Sequence, residues 1–392
     1  MKKILYISSR TGLSEPLGRS QVLPYILELS KNHKIHIISS EKKIDLKNKS
    51  NINNIKSILS KNNIIWHYSV FKYGKKSVPI VLINDLIIGI IFCIKYKINI
   101  VHCRGYLPNL VGIIIKLLFS NKLIFDMRGL WPEEIALGLK KGKRSFFYKF
   151  LKFSEIISIL YSDKIISLTN RARDYLLDLY QISPKSIITI PTCVDIKRFK
   201  YSKEIVSKQK TFSCIGTILS DWFLIDWLSL FFKCVDKYDA NAKFEIISTD
   251  NREDLIHRLN LKNSIRNKLN LRSATPDEMP SLIKFHSASS FFFKPDISKL
   301  GSSPTRFGEI LAVGRPVICN SGVGDLDKLV IENEVGVVVK EAKYSLMMEG
   351  VDKLYKMIEN PNTAIKCRHL AENYYSLFSG SQKYSDIYND KF

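Results

Sequence analysis

Charged side chains follow two short apolar runs in the first half of the chain, where buried strands are predicted to end. His102 and Arg104 close one run, and Asp126 and Arg128 close the next. Because the carboxyl ends of parallel strands line one edge of a sheet, these groups are candidates for a catalytic or binding site. A structural Asp–Arg pair explains Asp126 and Arg128 equally well, and a lone histidine after a strand is usually structural.

Two glutamates and a glycine are further candidates in the same half. Glu133 and Glu134 follow Trp131-Pro132, and a carboxyl group near a cleft can exchange a proton with a hydroxyl. Gly18 lies in a loop of small and polar residues, just before a predicted helix. Without a Cβ it allows a phosphate to approach the backbone closely, although a plain turn is the alternative.

The second half offers a carboxylate among cations. Glu309 lies near the start of a predicted helix that Gly314 ends. A carboxylate there can accept hydrogen bonds from both hydroxyls of a ribose. Lys294, Lys299 and Arg306 are close in sequence, and such a set can bind phosphates. The alternatives are a solvated glutamate favoured by the helix dipole and ordinary surface cations.

Short β-rich runs alternate with helical ones in two successive cycles. This alternation predicts two Rossmann-like, doubly wound parallel sheets, each covered on both faces and facing one another across a cleft. The predicted strands are residues 4–8, 35–39, 64–69, 100–102, 123–126, 164–167 and 187–190, then 212–216, 244–248, 289–293, 316–320 and 336–339. One helix is predicted over residues 21–31.

The chain of 392 residues is too long for one ordinary core. A charged stretch poor in apolar residues follows Asp195. We therefore predict an N-terminal domain over residues 1–195 and a C-terminal domain over residues 196–375. The end of the chain is predicted to be helical and broken near Ser379-Gly380-Ser381, with residues 376–392 packing back on the N-terminal domain.

The formal net charge is +23, which attracts nucleic acid, anionic lipids or phosphorylated substrates. No nucleic-acid-binding motif is recognisable, so the choice lies between a generally basic surface and a membrane partner. Seven scattered cysteines without a C-x-x-C pair indicate a reduced compartment. The apolar stretch Val78–Cys93 contains Asn84 and Asp85 and is shorter than the roughly 20 residues of a membrane span. It predicts a buried or membrane-touching helix.

Four segments resemble the glycosyltransferase family 4 group with the GT-B fold, especially its bacterial polysaccharide-assembly members. They are residues 4–8 with 14–21, residues 125–133, residues 190–195 with Phe199, and residues 302–317. The last segment, S-S-P-T-R-F-G-E-I-L-A-V-G-R-P-V, is the most specific. The four occur in the family's order and spacing, so the resemblance covers nearly the whole chain.

The resemblance implies a glycosyltransferase with a nucleotide-sugar donor and a lipid-linked or polysaccharide acceptor, working without cofactor or metal and with retention of anomeric configuration. It implies an acceptor-binding N-terminal domain and a donor-binding C-terminal domain, with Glu309 on the ribose. The predicted donor-binding set is Glu309, Arg306, Lys294, Lys299, Thr305, Ser303, Gly216, Thr217 and Gly18. The predicted catalytic set is Asp126, Arg128, His102 and Glu133.

The chain departs from the family pattern at three places. Gly301 stands where many members have a second glutamate, and residues 216–221 lack the expected arginine and lysine. The histidine that related enzymes place near Asp126 is also missing. Two alternatives stay open: a same-fold nucleotide-sugar epimerase, which would need a donor but no acceptor, and a non-catalytic glycan-assembly scaffold, which the missing residues favour. For the transferase, the expected location is cytoplasmic and peripheral, on an anionic inner membrane face.

Overall fold

The computed structural model describes residues 1–9, 11–71, 77–138, 142–201 and 209–391. Contacts divide the chain into two units. Unit 1 consists of residues 1–191 together with 377–392, and unit 2 consists of residues 192–376. The predicted division placed the first boundary slightly later, at residue 195. The last segment of the chain belongs to unit 1 because its helix packs there.

Seven parallel strands form the sheet of unit 1, in the order β3-β2-β1-β4-β5-β6-β7. Runs such as Ile4–Ile7 are apolar without alternation because helices cover both faces of the sheet. The strand order reverses between β1 and β4, which is where open sheets of this class bind ligands. The strands are β1 Lys3–Ser8, β2 Lys34–Lys42, β3 Ile65–Phe71, β4 Ile100–Arg104, β5 Lys122–Asp126, β6 Lys164–Ser167 and β7 Ile187–Thr189.

Nine α-helices accompany this sheet in the described part of unit 1. They are α1 Pro16–Gln21, α2 Leu23–Ser30, α3 Lys49–Lys61, α4 Ser77–Tyr96, α5 Tyr106–Phe119, α6 Trp131–Gly138, α7 Phe146–Tyr161 and α8 Asn170–Tyr180, with a last helix at Leu377–Tyr388. On one face α5 packs between α4 and α7, and Leu5 and Val101 meet Phe92 and Ile115 there. On the other face α2 packs against the last helix.

The sheet of unit 2 has six parallel strands in the order β10-β9-β8-β11-β12-β13. They are β8 Thr211–Ile215, β9 Lys243–Ile247, β10 Leu269–Arg272, β11 Ala288–Phe291, β12 Val317–Asn320 and β13 Gly336–Val339. The helices are α9 Ile225–Tyr238, α10 Arg252–Leu259, α11 Asn263–Arg266, α12 Met279–Lys284, α13 Thr305–Val313, α14 Leu326–Glu332, α15 Tyr344–Glu359 and α16 Pro361–Tyr374. The last helix of the chain, in unit 1, is therefore α17. The order of each sheet confirms the predicted pair of Rossmann-like folds.

Every predicted strand is present, but β10 was missed. Its sequence Leu269-Asn270-Leu271-Arg272 offers only two apolar residues, and as an edge strand it is half exposed. The helix predicted over residues 21–31 is α2, which has Pro24 in its first turn, where a missing N–H is tolerated. The short helix α1, which ends at Gln21, was not predicted.

The predicted helix break near Gly380 was wrong. Helix α17 runs through residues 379–381, where Gly380 and Ser381 are buried. The break lies earlier, between α16 and α17, where the carbonyl of Tyr375 accepts a hydrogen bond from the amide of Val194 at 2.8 Å. That bond draws the backbone into a short bridge between Val194 and Ser376 and so ends the helix.

Helix α4 is the one described helix whose length and hydropathy would suffice to cross a membrane. It lies across β1, β2 and β3, with Val81, Gly89 and Phe92 buried. Its Asp85 carboxylate is buried and accepts a hydrogen bond from the Ser9 hydroxyl. The helix is therefore a covering layer of the sheet, in line with the predicted non-spanning helix.

Candidate functional site

The carboxyl edge of the unit 1 sheet holds a buried charge cluster around Asp126. Arg104 on β4 is the register partner of Asp126 on β5, and its Nη1 lies 3.8 Å from Asp126 Oδ2. Arg128 Nη1 lies 3.7 Å from Asp126 Oδ1. Burial alone would raise the pKa of Asp126, but Arg128, His102 and Arg104 outweigh it and hold the pKa at about 2. Asp126 is thus a permanent anion beneath two guanidinium groups.

The loop after β5 has an unusual backbone. Arg128 has φ +60° and Gly129 has φ +137°. A left-handed conformation costs a non-glycine residue free energy, and surrounding contacts must maintain it. Here the contacts are the Asp126 carboxylate and the side-chain oxygen of Gln21, which accepts a hydrogen bond from Arg128 Nη2 at 3.2 Å. The loop therefore holds the Arg128 guanidinium in one place at the sheet edge.

His102 is part of a network that joins the sheet to α17. A hydrogen bond of 2.6 Å links its Nδ1 to the Tyr388 hydroxyl, and Tyr384 donates to Asp126 Oδ2 at 3.1 Å. His102 Nε2 lies 3.7 Å from Asp126 Oδ2. Burial lowers the pKa of His102 despite the nearby carboxylate, so the ring is neutral at pH 7. These bonds are those expected of the structural alternative for His102.

Glu133, in the first turn of α6, is buried and surrounded by partners. The Tyr148 hydroxyl donates to it at 2.9 Å, and the amines of Lys143 and Lys152 lie 2.9 and 3.5 Å away. Burial raises its pKa, but the Lys143 and Tyr148 hydrogen bonds prevail and the pKa is lowered. This environment suits a buried ion pair more than a proton donor near neutral pH. The neighbouring Glu134 is exposed.

Gly18 occupies a different place from the one predicted. It lies inside α1, not before it, and it is buried. A Cβ there would lie 1.8 Å from the carbonyl oxygen of Gly12. The glycine is thus required because the loop after β1 crosses directly against the helix, which leaves no room for a phosphate at that position.

Glu41 on β2 holds the same loop and was not predicted. Its buried carboxylate accepts the amides of Leu13 and Ser14 at 2.8 and 3.0 Å, together with the hydroxyls of Ser14 and Ser39. The signal in the sequence was weak, because nothing marks an isolated glutamate in a strand as a loop anchor. Its position relative to Leu13 and Ser14 becomes visible only when β2 pairs with β1.

In unit 2, Glu309 is 7% exposed and forms an ion pair with Arg306 one turn earlier on α13. Burial raises the pKa of Glu309, and Arg306 opposes that rise. Thr305 begins the helix, and the Ser303 hydroxyl just before it accepts a hydrogen bond from the Thr192 amide at 3.1 Å. The environment of Glu309 therefore differs from that of a solvated first-turn glutamate.

The loop after β11 carries the two predicted lysines. Lys294 is exposed, and its amide donates to the Trp222 carbonyl at 2.8 Å. The amine of Lys299 lies 4.9 Å from the centre of the Trp222 ring. This cation–π contact holds one lysine against an aromatic ring at the carboxyl edge of the sheet. Lys299, Trp222 and Lys294 form a basic and aromatic surface on unit 2.

Gly216 and Thr217 begin the loop after β8 and are exposed, with Gly216 at φ +137°. No heavy atom would lie within 4 Å of a Cβ on Gly216, so the backbone there is open. Asp250, another residue that was not predicted, fixes the rest of the loop. Its carboxylate accepts the amides of Ile218 and Leu219 at 2.5 and 3.0 Å.

Each unit therefore assembles part of the predicted set at the carboxyl edge of its sheet. Unit 1 brings Asp126, Arg128 and His102 together, whereas Glu133 has partners of its own. Unit 2 places Glu309 and Arg306 on the helix that follows the loop of Lys294 and Lys299. Within the described ranges, no group of three or more His, Cys, Asp or Glu is arranged to hold a metal ion.

Comparisons with known proteins agree with this architecture. Residues 26–198 match the model of Glycosyltransferase Family 4. A glycosyltransferase of Rickettsia africae has a similar structure, with a TM-score of 0.70 and 17% identity over 99% of this chain and 98% of that one. No curated protein shows significant sequence similarity.

Two further solved structures are similar along 100% of both chains, each with 12% identity. One is HepE of Anabaena in complex with UDP and glucose, with a TM-score of 0.68. The other is the apo form of the lipopolysaccharide outer core galactosyltransferase WaaB, with a TM-score of 0.66. These likenesses show that the chain has the GT-B fold. The similarity to Glycosyltransferase Family 4 lies in residues 26–198.

Proposed function

We propose that the protein transfers a glycosyl group from a nucleotide-sugar donor to a lipid-linked or cell-surface glycan, at the cytoplasmic face of a bacterial membrane. The observation that carries the proposal is the buried Glu309 carboxylate on α13, paired with Arg306 at the ligand-binding edge of the unit 2 sheet. A nucleotide sugar has ribose hydroxyls that can donate hydrogen bonds to the carboxylate. Its phosphates can accept hydrogen bonds from the guanidinium group.

The donor site then comprises a few groups with distinct tasks. Glu309 accepts the ribose hydroxyls, and Arg306 turns toward the phosphates when the ribose takes its place. Lys299 and Lys294 supply the positive charge that residues 216–221 lack. The open backbone of Gly216 and Thr217 lies along the donor, and Ser303 and Thr305 line the start of α13. UDP-glucose, whose components HepE binds, is the first donor to try.

The reaction we propose is retaining and needs neither metal nor cofactor. The bond between the sugar C1 and the leaving phosphate oxygen breaks, and its electron pair stays on the phosphate. The acceptor hydroxyl oxygen attacks C1 from the same face, and its proton passes to the leaving phosphate. Fixed cations stabilise the charge that develops on the nucleotide. On unit 1, Arg128 and Arg104 face the acceptor, with Asp126 and His102 as positioning residues.

The first experiment is a thermal-shift screen of nucleotide sugars with the full chain. A donor present at 100 times its Kd should stabilise the protein by about 2.7 kcal/mol. Glu309→Gln keeps the size of the side chain but removes the charged acceptor, so the stabilisation should disappear. Glu332→Gln, an exposed glutamate on α14 of the same unit, is the matched control and should leave it intact. Equal stabilisation of Glu309→Gln and wild type would contradict the ribose assignment.

Product analysis then separates transfer from its rivals. With donor and a lipid-linked glycan, a glycosylated acceptor of retained anomeric configuration is expected, also after treatment with a chelator. With donor alone, an epimerised nucleotide sugar would identify an epimerase. Donor binding without any product, across a panel of acceptors, would favour a non-catalytic scaffold.

A further inference from the structure

The outer surface of the α4–α5–α7 layer in unit 1 is apolar over its whole length. Helix α4 presents isoleucines at intervals of three and four residues, which places them on one side of the helix. Helix α7 presents mainly phenylalanines, and α5 adds a patch between the two. The exposed residues are Ile80, Ile83, Ile87, Ile91 and Ile94 on α4, Ile114, Leu117 and Leu118 on α5, and Phe146, Phe147, Phe150, Phe153, Ile156 and Leu160 on α7.

These side chains are between 39% and 85% exposed. Phe146 is 85% exposed, and Ile80 and Leu160 are each 69% exposed. The opposite sides of the same helices already pack inward, through Phe92, Val111 and Leu151. The exposed set is therefore additional to the core, and a large exposed apolar patch marks an interaction site.

Unit 2 provides the comparison. Its exposed large apolar residues are single ones on different elements, among them Phe285 after α12, Ile331 on α14 and Ile365 on α16. Scattered exposure of this kind is ordinary and needs no partner. The contiguous surface thus belongs to unit 1 only, within the part of the chain that is described.

The exposed charges on the three helices are all positive, although an exposed acidic residue, Asp163, follows the end of α7. The acidic residues of the three helices, Asp85 and Glu155, are buried. Three of the cations here are already paired with carboxylates: Lys116 with Asp163, Lys143 with Glu133, and Lys152 with Glu133 and Glu155. The others are Lys95 and Lys149 on the helices, with Lys97 and Arg144 at their ends. Apolar side chains interspersed with lysines match an anionic bilayer. The apolar side chains can insert among the acyl chains, and the lysines can pair with the lipid phosphates. A second copy would instead set lysine against lysine across a two-fold axis.

We propose that the outer surface of α4, α5 and α7 docks on an anionic membrane, with the helices lying in its plane. A flat orientation follows from the contacts of α4 with β1, β2 and β3, which leave only its outer side available. Because α4 begins just after β3, its amino end lies at the edge of the sheet that holds Asp126 and Arg128. The surface serves the proposed lipid-linked acceptor and rests on that proposal for its purpose, but lipid binding can be measured without sugar transfer.

The test is co-sedimentation of the full chain with vesicles of phosphatidylcholine, with or without phosphatidylglycerol. Wild type should bind the phosphatidylglycerol vesicles, and salt should weaken the binding. The variant Ile83→Ser/Ile87→Ser/Ile91→Ser should bind at least tenfold more weakly. Lys95→Glu/Lys149→Glu should lose the preference for anionic lipid. The matched control Phe285→Ser/Ile331→Ser/Ile365→Ser, in unit 2, should bind like wild type.

Melting temperature and donor-induced stabilisation are recorded for each variant, so that misfolding is separated from lost docking. The proposal is overturned if the isoleucine variant folds and still binds vesicles like wild type. It is also overturned if wild type binds neither the phosphatidylcholine vesicles nor those that contain phosphatidylglycerol. If wild type is a dimer and the isoleucine variant is a monomer, the surface binds a second copy of the chain, and the membrane proposal is overturned. Vesicle binding without donor binding would leave the docking surface intact and refute the transferase proposal instead.

Discussion

Units 1 and 2 share the order of their first six strands but differ at the carboxyl edge of the sheet. In unit 1 the edge is occupied by charged side chains of the unit itself. Asp126 partly neutralises the positive charge of Arg104 and Arg128, and it accepts a hydrogen bond from Tyr384 on α17. In unit 2 the comparable edge is open, with Gly216 and Lys294 exposed. The same fold can thus pair most of the charge at this edge internally, as in unit 1, or leave it largely unpaired and exposed, as at Lys294 in unit 2.

In both units, a buried or partly buried carboxylate holds the loop after the first strand. Glu41 holds the loop after β1, and Asp250 holds the loop after β8, each by accepting two consecutive backbone amides. Both loops are therefore fixed before any ligand arrives, which reduces the entropy lost on binding. The anchor in unit 1 is fully buried, whereas Asp250 is partly exposed.

The largest expected effect comes from Asp126→Ala. It leaves Arg104 and Arg128 buried without their shared anion, and breaking a buried pair in this way costs about 3–5 kcal/mol. Glu309→Ala removes the corresponding partner from Arg306, whose side chain is 33% exposed, and should cost about 1 kcal/mol. Hydrogen exchange, recorded separately for each unit during urea titration, measures both. Equal losses in the two units would abolish the distinction between a closed and an open edge.

A second, smaller difference should separate the two loop anchors. Glu41→Ala frees four donors in a buried loop and should destabilise unit 1 by about 3 kcal/mol. Asp250→Ala frees two amides near solvent and should cost about 1–2 kcal/mol. Because the loop after β8 lies along the proposed donor, Asp250→Ala should also weaken donor binding. Melting temperatures with and without donor test this, and unchanged donor affinity would exclude the loop from the donor site.

The sequence pattern was sufficient for the sheets because their strands are continuous apolar runs, such as Ile4–Ile7 and Val337–Val339. It failed at β10, where the edge position leaves two of the four residues exposed and the other two only partly buried. It also placed Gly18 outside α1, because the reason for that glycine is the Gly12 carbonyl, which only the folded loop brings near.

The candidate site was predictable where a motif carried it and not where distant contacts build it. The segment around Glu309 and Arg306 is local, so one helix turn contains both partners. The partners of His102 and Asp126 are Tyr388 and Tyr384, which lie at the other end of the chain. No spacing rule relates residues so far apart, and the same is true of Glu41 and its loop.

Acidification should weaken unit 1 more than unit 2. Burial lowers the pKa of His33, His36, His67 and His102, all in unit 1. Below their ordinary pKa of 6.5 the unfolded chain binds protons that the native unit does not, so stability falls as pH decreases from about 7 to 5. Asp85 opposes this, because burial raises its pKa to about 6 and protonation then favours the native state. Because four histidines oppose one carboxyl group, we expect a net loss of stability of unit 1 on acidification.

Unit-resolved hydrogen exchange at pH 7 and pH 5 measures this difference. His102→Gln and His36→Gln should each flatten the dependence of unit 1 on pH. His257→Gln, which replaces an exposed histidine of unit 2, is the matched control. A unit 2 that loses more stability than unit 1 on acidification would contradict the assignment of the titrating groups.

The smallest expected effect concerns the hydroxyl groups of α17. Tyr388→Phe removes the bond to His102 and Tyr384→Phe the bond to Asp126, each worth about 1 kcal/mol net, and somewhat more where the partner is charged. Tyr355→Phe, which removes a bond of 3.1 Å to Asp239 in unit 2, is the matched change near solvent and should cost less. If α17 is a structural part of unit 1, the first two variants will increase exchange in both α17 and β4. Faster exchange confined to α17 would mean that the helix only covers the charge cluster and that the edge of unit 1 is closed by Arg104, Asp126 and Arg128 alone.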